Sequence, residues 1–272
     1  MADSTTSERD ELLAFELALD EKVCDEVHRT SWGRLFLTPS APLIWDANWV
    51  GIEQVGMTVD QVVAIADEAL GGEGFGHRTV CLLDQADGRR IGEEVEREAA
   101  QWPRWEVERT RYMVWRGSEK SLQSAPDKGP GAREVRLTEI EPLRRALIAE
   151  EAVPTGVIEP QATTDQLFAI DGRYGAAGGD RWFVSPAAGE PLAACRLLRD
   201  GRIGQVEDVG TREHARERGY AKAIVTAAVA AALTAGDSPI FLTADAADWP
   251  QLMYAKLGFE TVGDLTILRR RP

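Results

Sequence analysis

Apolar positions along the 272-residue chain recur with two periods, and each period predicts a different element. Over residues 220–233 they fall at Val225, Val229 and Leu233, the i, i+4, i+8 stripe of a helix with one buried face. Gly236 follows, a residue suited to the left-handed turn that ends a helix. Short apolar runs bounded by turn residues predict strands at 134–137, 182–184, 191–198, 203–209, 239–243 and 261–268. Asp200-Gly201, between two of them, is a hairpin signal. Further helices are predicted at 139–150, 164–179 and 249–257, the last stopped by Gly258. After an initial meander, strands alternate with helices. That order predicts an α/β or α+β domain with a mixed sheet.

The first part of the chain repeats the later half of this order. A strand at 45–54 precedes a helix at 59–70, a strand at 77–83, a helix at 89–100 and a closing strand at 105–115. Two runs of strand, helix, strand, helix, strand predict a degenerate internal duplication. Between them, GSEKSLQSAPDKGPGA (117–132) holds almost no apolar residue, and its Gly, Ser, Pro and Lys are linker chemistry. The expected division is therefore 1–116, 117–132 and 133–272, with both lobes in the usual domain range. The lobes differ at one place. The first passes from IEQVG (52–56) straight into MTVDQVV, without the arginine–glycine loop found in the second.

Charge narrows the partners. Lysine and arginine number 31 against 45 aspartates and glutamates, a net charge of -14, which argues against nucleic acid or an anionic membrane. A cationic amine fits this balance, and so does acidity that only keeps the chain in solution. The longest apolar run, 223–233, is interrupted by Thr226 and too short to span a bilayer. MADSTTSERDELL lacks the basic and apolar regions of a signal peptide. Cys24, Cys81 and Cys195 are far apart and without metal spacing. They read as buried thiols of a reducing compartment, and the expected location is the cytoplasm. His28, His77 and His214 form no pair with ligand spacing, so no metal site is expected.

Against this acidic background, DVGTREHARERGYAKAIV (208–225) gathers three arginines and a glycine where a strand turns into a helix. The first N–H groups of a helix have no intrahelical partner, and with the positive end of the helix dipole they attract an anion. Gly219 allows close approach of the backbone, Ala221 is small, and Arg216 and Arg218 offer forked donors suited to phosphate oxygens. The plain alternative is a solvated charged turn that caps a helix.

Arg216-Glu-Arg-Gly219-Tyr-Ala221 fits R-x-x-G-x-A after a strand ending VEDVGT, and LMYAKLGF (252–259) follows in a predicted helix. Together, over about residues 133–268, these motifs resemble the GNAT superfamily, the acetyl-CoA-dependent N-acyltransferases. WGRLFLTPSAPLIWDANWV (32–50) looks like the first lobe of its tandem members. The resemblance implies two GNAT-like lobes, each a mixed, mostly antiparallel sheet flanked by helices, with the coenzyme site in the second only. It implies attack of a neutral small-molecule amine on the acetyl thioester through a tetrahedral intermediate. The pantetheine arm would lie in a gap between 203–209 and 239–243. Val209, Gly210 and Thr211 would lead into the pyrophosphate loop of Arg216, Glu217, Arg218, Gly219, Tyr220 and Ala221.

Tyr254 aligns with the family tyrosine that donates a proton or hydrogen bond to the departing sulfur. Packing beside Leu252 and Phe259 would explain it as well. The attacking amine needs a base; strand alternation sends Glu207 and Asp208 to opposite faces, so at most one lines the cleft, and Glu207 is preferred, with solvated or ion-paired carboxylates as the alternative. Two departures from the family pattern stand out. The asparagine usual before the tyrosine helix is replaced within Asp245-Ala-Ala-Asp248-Trp249-Pro250, where Asp248 also reads as a helix cap. Glu217 replaces a usual glycine and brings negative charge to the loop. Six of the eight tryptophans fall in the first lobe, as core or as lining of an acceptor pocket, and Trp45-Asp46-Ala-Asn48 is the polar–aromatic group of interest there. A non-catalytic acyl-CoA-binding sensor or scaffold is the alternative function, acyl transfer to a hydroxyl a third, and a homodimer stays open.

Overall fold

The local signals read from the chain mature into elements where burial supports them. The computed structural model describes residues 7–118, 130–152 and 159–272, so most of the expected linker (119–129) lies outside the described residues. In chain order the elements begin with α1 (Glu8–Val23), β1 (Glu26–Arg29), β2 (Gly33–Leu37), β3 (Trp49–Ile52), α2 (Val59–Gly72) and β4 (Arg78–Leu82). Then come α3 (Gln85–Arg97), β5 (Glu106–Trp115), β6 (Arg133–Val135), α4 (Glu141–Ala152), α5 (Pro160–Gly178), β7 (Trp182–Ser185) and β8 (Ala193–Arg199). The chain ends with β9 (Gly204–Thr211), α6 (Tyr220–Thr234), β10 (Ile240–Asp245), α7 (Pro250–Lys256) and β11 (Phe259–Arg270). Among the described residues, no helix is long and apolar enough to cross a membrane.

Two compact units result, and neither is one stretch of chain. One takes in the described parts of Met1–Leu19, Met113–Thr243 and Trp249–Thr261; the other holds Asp20–Tyr112, Ala244–Asp248 and Val262–Pro272. The compact units therefore do not follow the division at 117–132. Burial is the reason at both ends. In the first unit, Phe15 of α1 meets Phe241 edge-on at 5.7 Å, and Gln205 donates to Glu16 at 2.6 Å. In the second, Thr266–Arg270 of β11 pairs with Leu82–Arg78 of β4, and Leu268 is fully buried in that core.

Within each unit the sheet is mixed and mostly antiparallel, with helices on it, as expected. In the first, β6, β7, β8 and β9 pair antiparallel in turn, and β10 joins β9 in parallel. In the second, β1, β2 and β3 pair antiparallel, β4 joins β3 in parallel, and β11 is antiparallel to β4. Each parallel pair is bridged by one helix, α6 between β9 and β10 and α2 between β3 and β4. This repeated β–α–β step is the structural form of the duplication.

Three expectations shift. The strand at 45–54 shortens to β3, because Trp45–Ala47 is a 3-10 turn. Asn48 there is fully buried: Oδ1 accepts from Thr38 N at 2.7 Å, and Nδ2 donates to Ala41 O and Ile44 O at 3.0 and 2.9 Å. That side chain shapes a loop and is not free for an acceptor. The stripe of α6 is also displaced. Ile224, Val225, Ala228, Val229 and Ala232 are buried, whereas Leu233 at its end is only half-buried. Finally α1, β1 and β2 were not anticipated. Leu12, Leu13, Phe15, Leu17 and Leu19 of α1 are all buried and point round the helix, so no single apolar stripe marks it.

Candidate functional site

The candidate site is built on β9 in the first unit. β9 and β10 are parallel partners at Gly204–Ile240 and Gln205–Phe241 only, although β9 runs on to Thr211 and β10 to Asp245. Beyond Gln205, then, the edge of β9 facing β10 has backbone groups without that ladder. On its other edge β9 pairs with β8, and there the register slips: Ala194 opposes Gly210 whereas Arg196 opposes Glu207. The extra residue is taken up by a bulge in which Asp208 has φ 54, the left-handed region.

This bulge corrects the expected alternation, for Glu207 and Asp208 do not diverge. Both carboxylates engage Arg196: its Nη2 donates to Glu207 Oε2 at 2.6 Å, and its Nε stands 2.7 Å from Asp208 Oδ2. Arg144 of α4 donates to the other Asp208 oxygen at 2.8 Å and to Asp171 of α5 at 2.6 Å. The guanidiniums stack in turn, Arg196 over Tyr174 at 4.5 Å and Arg144 over Trp182 at 5.3 Å. Side-chain exposure separates the three acids: 34% for Glu207, 21% for Asp208 and 4% for Asp171. Glu207 is thus the carboxylate most open to a reacting group.

Two cations among three acids leave the cluster short of positive charge, and the protons distribute accordingly. Burial pushes the Glu207 carboxyl above its ordinary range, and the charge of Asp208 adds to this against the pull of Arg196. Burial and the charge of Asp208 likewise raise Asp171, with Arg144 opposing. Burial would raise Asp208 too, but Arg144 and Arg196 outweigh it and hold that group low. Sequence reading passed over Arg144, Asp171 and Arg196. The one signal was an arginine inside the apolar run of β8, LAACRLL.

At the far end of β9 the chain makes a 3-10 turn (Glu213–Ala215) and enters α6 through Gly219, with φ 83 and no side-chain cap. The N–H of Ala223 donates to Gly219 O at 3.1 Å, and those of Tyr220, Ala221 and Lys222 precede this first intrahelical donor. A Cβ on Gly219 would meet nothing within 4 Å, so the space over the helix start is open. Arg216 and Arg218 are exposed and have no carboxylate partner among the described residues. The Thr211 hydroxyl is buried without a hydrogen-bond partner. Spare N–H donors, two guanidiniums without a carboxylate partner (Arg216 Nε donates to Thr211 O, at 3.4 Å) and an idle hydroxyl fit a polyphosphate. Glu217 holds φ 63, a conformation that glycine adopts without strain.

Tyr254 lies on α7 with 6% of its surface exposed, its ring edge-on to Phe259 at 6.1 Å. It is placed in the same unit as β9, but the two hydrogen bonds of Glu207 both go to Arg196. The cap of α7 is Trp249 in place of Asp248, and Asp245 closes the preceding loop by accepting from Ala247 N at 2.8 Å. His77 is buried against Asn48 O at 2.9 Å, and no cluster of metal-ligating side chains occurs among the described residues.

The family model described as the acetyltransferase (GNAT) family matches residues 145–259, which span α4, β9, the α6 junction and α7. No curated protein matches. Among solved structures, a functionally unknown conserved protein from Staphylococcus epidermidis is similar at TM-score 0.62 and 14% identity, over 91% of this chain and 94% of that one. A GCN5-related N-acetyltransferase from Kribbella flavida is similar at TM-score 0.61 and 17% identity, over 98% and 97%. A tandem GNAT protein from the clavulanic acid biosynthesis pathway is similar at 0.53 and 12%, over 87% and 77%. At these identities the likeness is one of fold.

Proposed function

We propose that this chain, a member of the GNAT superfamily through its residues 145–259, transfers an acetyl group from acetyl-CoA to the amine of a small-molecule acceptor. Acyl transfer from an acyl-CoA is the chemistry of that family. The observation that carries it is the early parting of β9 from β10 beside Glu207. Acetyl-CoA would supply an acyl group activated as a thioester. Backbone groups at Val209, Gly210 and Thr211 would hold it along the freed edge of β9. Arg216, Arg218 and the N–H groups of Tyr220 and Ala221 would hold its phosphates, with Gly219 leaving room and Glu217 turned to solvent.

Glu207 takes the proton that an ammonium acceptor must lose before it can attack. Its raised proton affinity suits that task, because a base is most effective when its pKa lies near the working pH. The acidity of the surrounding cluster favours a cationic acceptor. Tyr254 donates a hydrogen bond to the departing sulfur.

Calorimetry with acetyl-CoA, then thiol release with a panel of small amines, tests the reading. Binding and amine-dependent turnover are expected. Tyr254→Phe and Glu207→Gln should each lower kcat by about a hundredfold and leave binding unchanged. Because the Glu207 pKa is raised, activity should fall as pH drops through a value above the usual carboxylate range, and Glu207→Gln should lose that acidic limb. Absence of binding, or turnover indifferent to both substitutions, removes the assignment. An acyl-CoA sensor without turnover has one observation in its favour, the engagement of Glu207 by Arg196. It requires binding with no amine-dependent thiol release.

A further inference from the structure

Helix α4 follows β9 in step. Arg144 bonds Asp208, Leu147 packs on Gly210, where an added Cβ would meet Leu147 Cδ1 at 3.1 Å, and Glu150 holds the residues just past Thr211. Helix positions three apart thus meet strand positions two apart, from the bulge to the loop. The last contact has no part in the chemistry proposed above. Arg212 Nε donates to Glu150 Oε1 at 2.6 Å, and the backbone N–H of Glu213 donates to Oε2 at 2.9 Å. Both carboxylate oxygens are committed to the turn that leads into Arg216. Burial pushes the Glu150 carboxyl up, but Arg212, the Glu213 N–H and the charge of Arg216 outweigh it, so the group stays ionised. Of the three arginines at the junction, Arg212 is therefore neutralised, and Arg216 and Arg218 are left for a ligand.

We infer that Glu150 is a positioning residue for the coenzyme diphosphate: it fixes the Glu213–Ala215 turn so that Arg216, Gly219 and the start of α6 are set before the ligand arrives. The inference rests on the proposed function, since it takes the α6 junction as the coenzyme site. It carries a sign that simple electrostatics does not share. Removing a carboxylate from beside a polyanion site would strengthen binding by charge alone. Removing a positioning residue weakens it, because the ligand must then order the loop itself.

Calorimetry of the full chain with coenzyme A decides between these. Glu150→Ala should weaken binding about tenfold, the worth of a hydrogen bond to a charged group, and Glu150→Gln, which keeps an acceptor for the Glu213 N–H, about threefold. If Glu150 acts through the loop, Arg216→Ala and Glu150→Ala should be non-additive in the double variant, with the second loss much smaller than the first. Equal or tighter binding in Glu150→Ala and Glu150→Gln overturns the inference, and so does strict additivity, which would mark a merely structural role. Should Glu150→Ala melt below the temperature of the titration, Glu150→Gln alone carries the test with the same sign. A wild-type chain that ignores coenzyme A overturns the function reading and this inference with it. A wild-type chain that binds while the variants bind equally overturns this inference alone.

Discussion

Among the described residues, two other than glycine hold left-handed backbone, Asp208 at φ 54 next to Glu207 and Glu217 at φ 63 in the loop assigned to the coenzyme phosphates. Such conformations cost on the order of 1 kcal/mol or more and persist where their surroundings hold them. Asp208 has that support in Arg144 and Arg196; Glu217 is exposed and has no ion pair among the described residues. Glu217→Gly should therefore raise stability by about 1 kcal/mol, measured by denaturant unfolding, and tighten acetyl-CoA binding by removing a charge of the wrong sign. Weaker binding in that variant would give Glu217 a positive role in the loop. The arginine–glycine junction was legible because its signals are local: charge, a missing Cβ and a helix start within six residues. The ion-pair cluster around Glu207 was not, because Arg144 and Asp171, which complete it through Arg196 and Asp208, come from helices far away in sequence.

At the scale of elements, β9 decides the site. A regular strand would have sent Glu207 and Asp208 to opposite faces, as alternation predicts. The bulge opposite β8 turns both carboxylates to Arg196. Asp208→Ala should cost about 3–5 kcal/mol, since it leaves Arg144 and Arg196 short of a partner in buried surroundings. Asp208→Gly removes the same charge but accepts φ 54, so it should be more stable than Asp208→Ala by about 1 kcal/mol in the same unfolding measurement. Equal stabilities would mean that the bulge relaxes once the carboxylate is gone. Helices with one clear stripe or cap, such as α2 with its Thr58–Gln61 capping box, could be read from sequence within a residue or two. Helix α1 could not, because its apolar residues surround it.

At the scale of the whole molecule, compact units and chain order part company. The second unit relies on the end of the chain: Leu268 fills its core, Arg269 bonds Glu108 and Asp46, and Arg270 pairs with Asp67. Leu268→Ala should therefore destabilise that unit by about 2–5 kcal/mol. Limited proteolysis should then cut first within Asp20–Tyr112 while Tyr220–Thr234 stays protected. Cleavage starting in the α6 region would contradict the division into units.

By itself the sequence determined the elements with short-range signatures, the repeat of their order, and the gathering of arginines and a glycine at the α6 junction. Those properties depend on neighbours within a turn or two of the chain. Only the tertiary structure decided which carboxylates share a guanidinium, where β9 bulges and leaves β10, and which unit receives most of α1 and most of β11. Each of those rests on pairing or burial between separate segments, from 11 residues apart for Arg196 and Glu207 to 223 for Asp46 and Arg269, and no local pattern of apolar and polar positions encodes it.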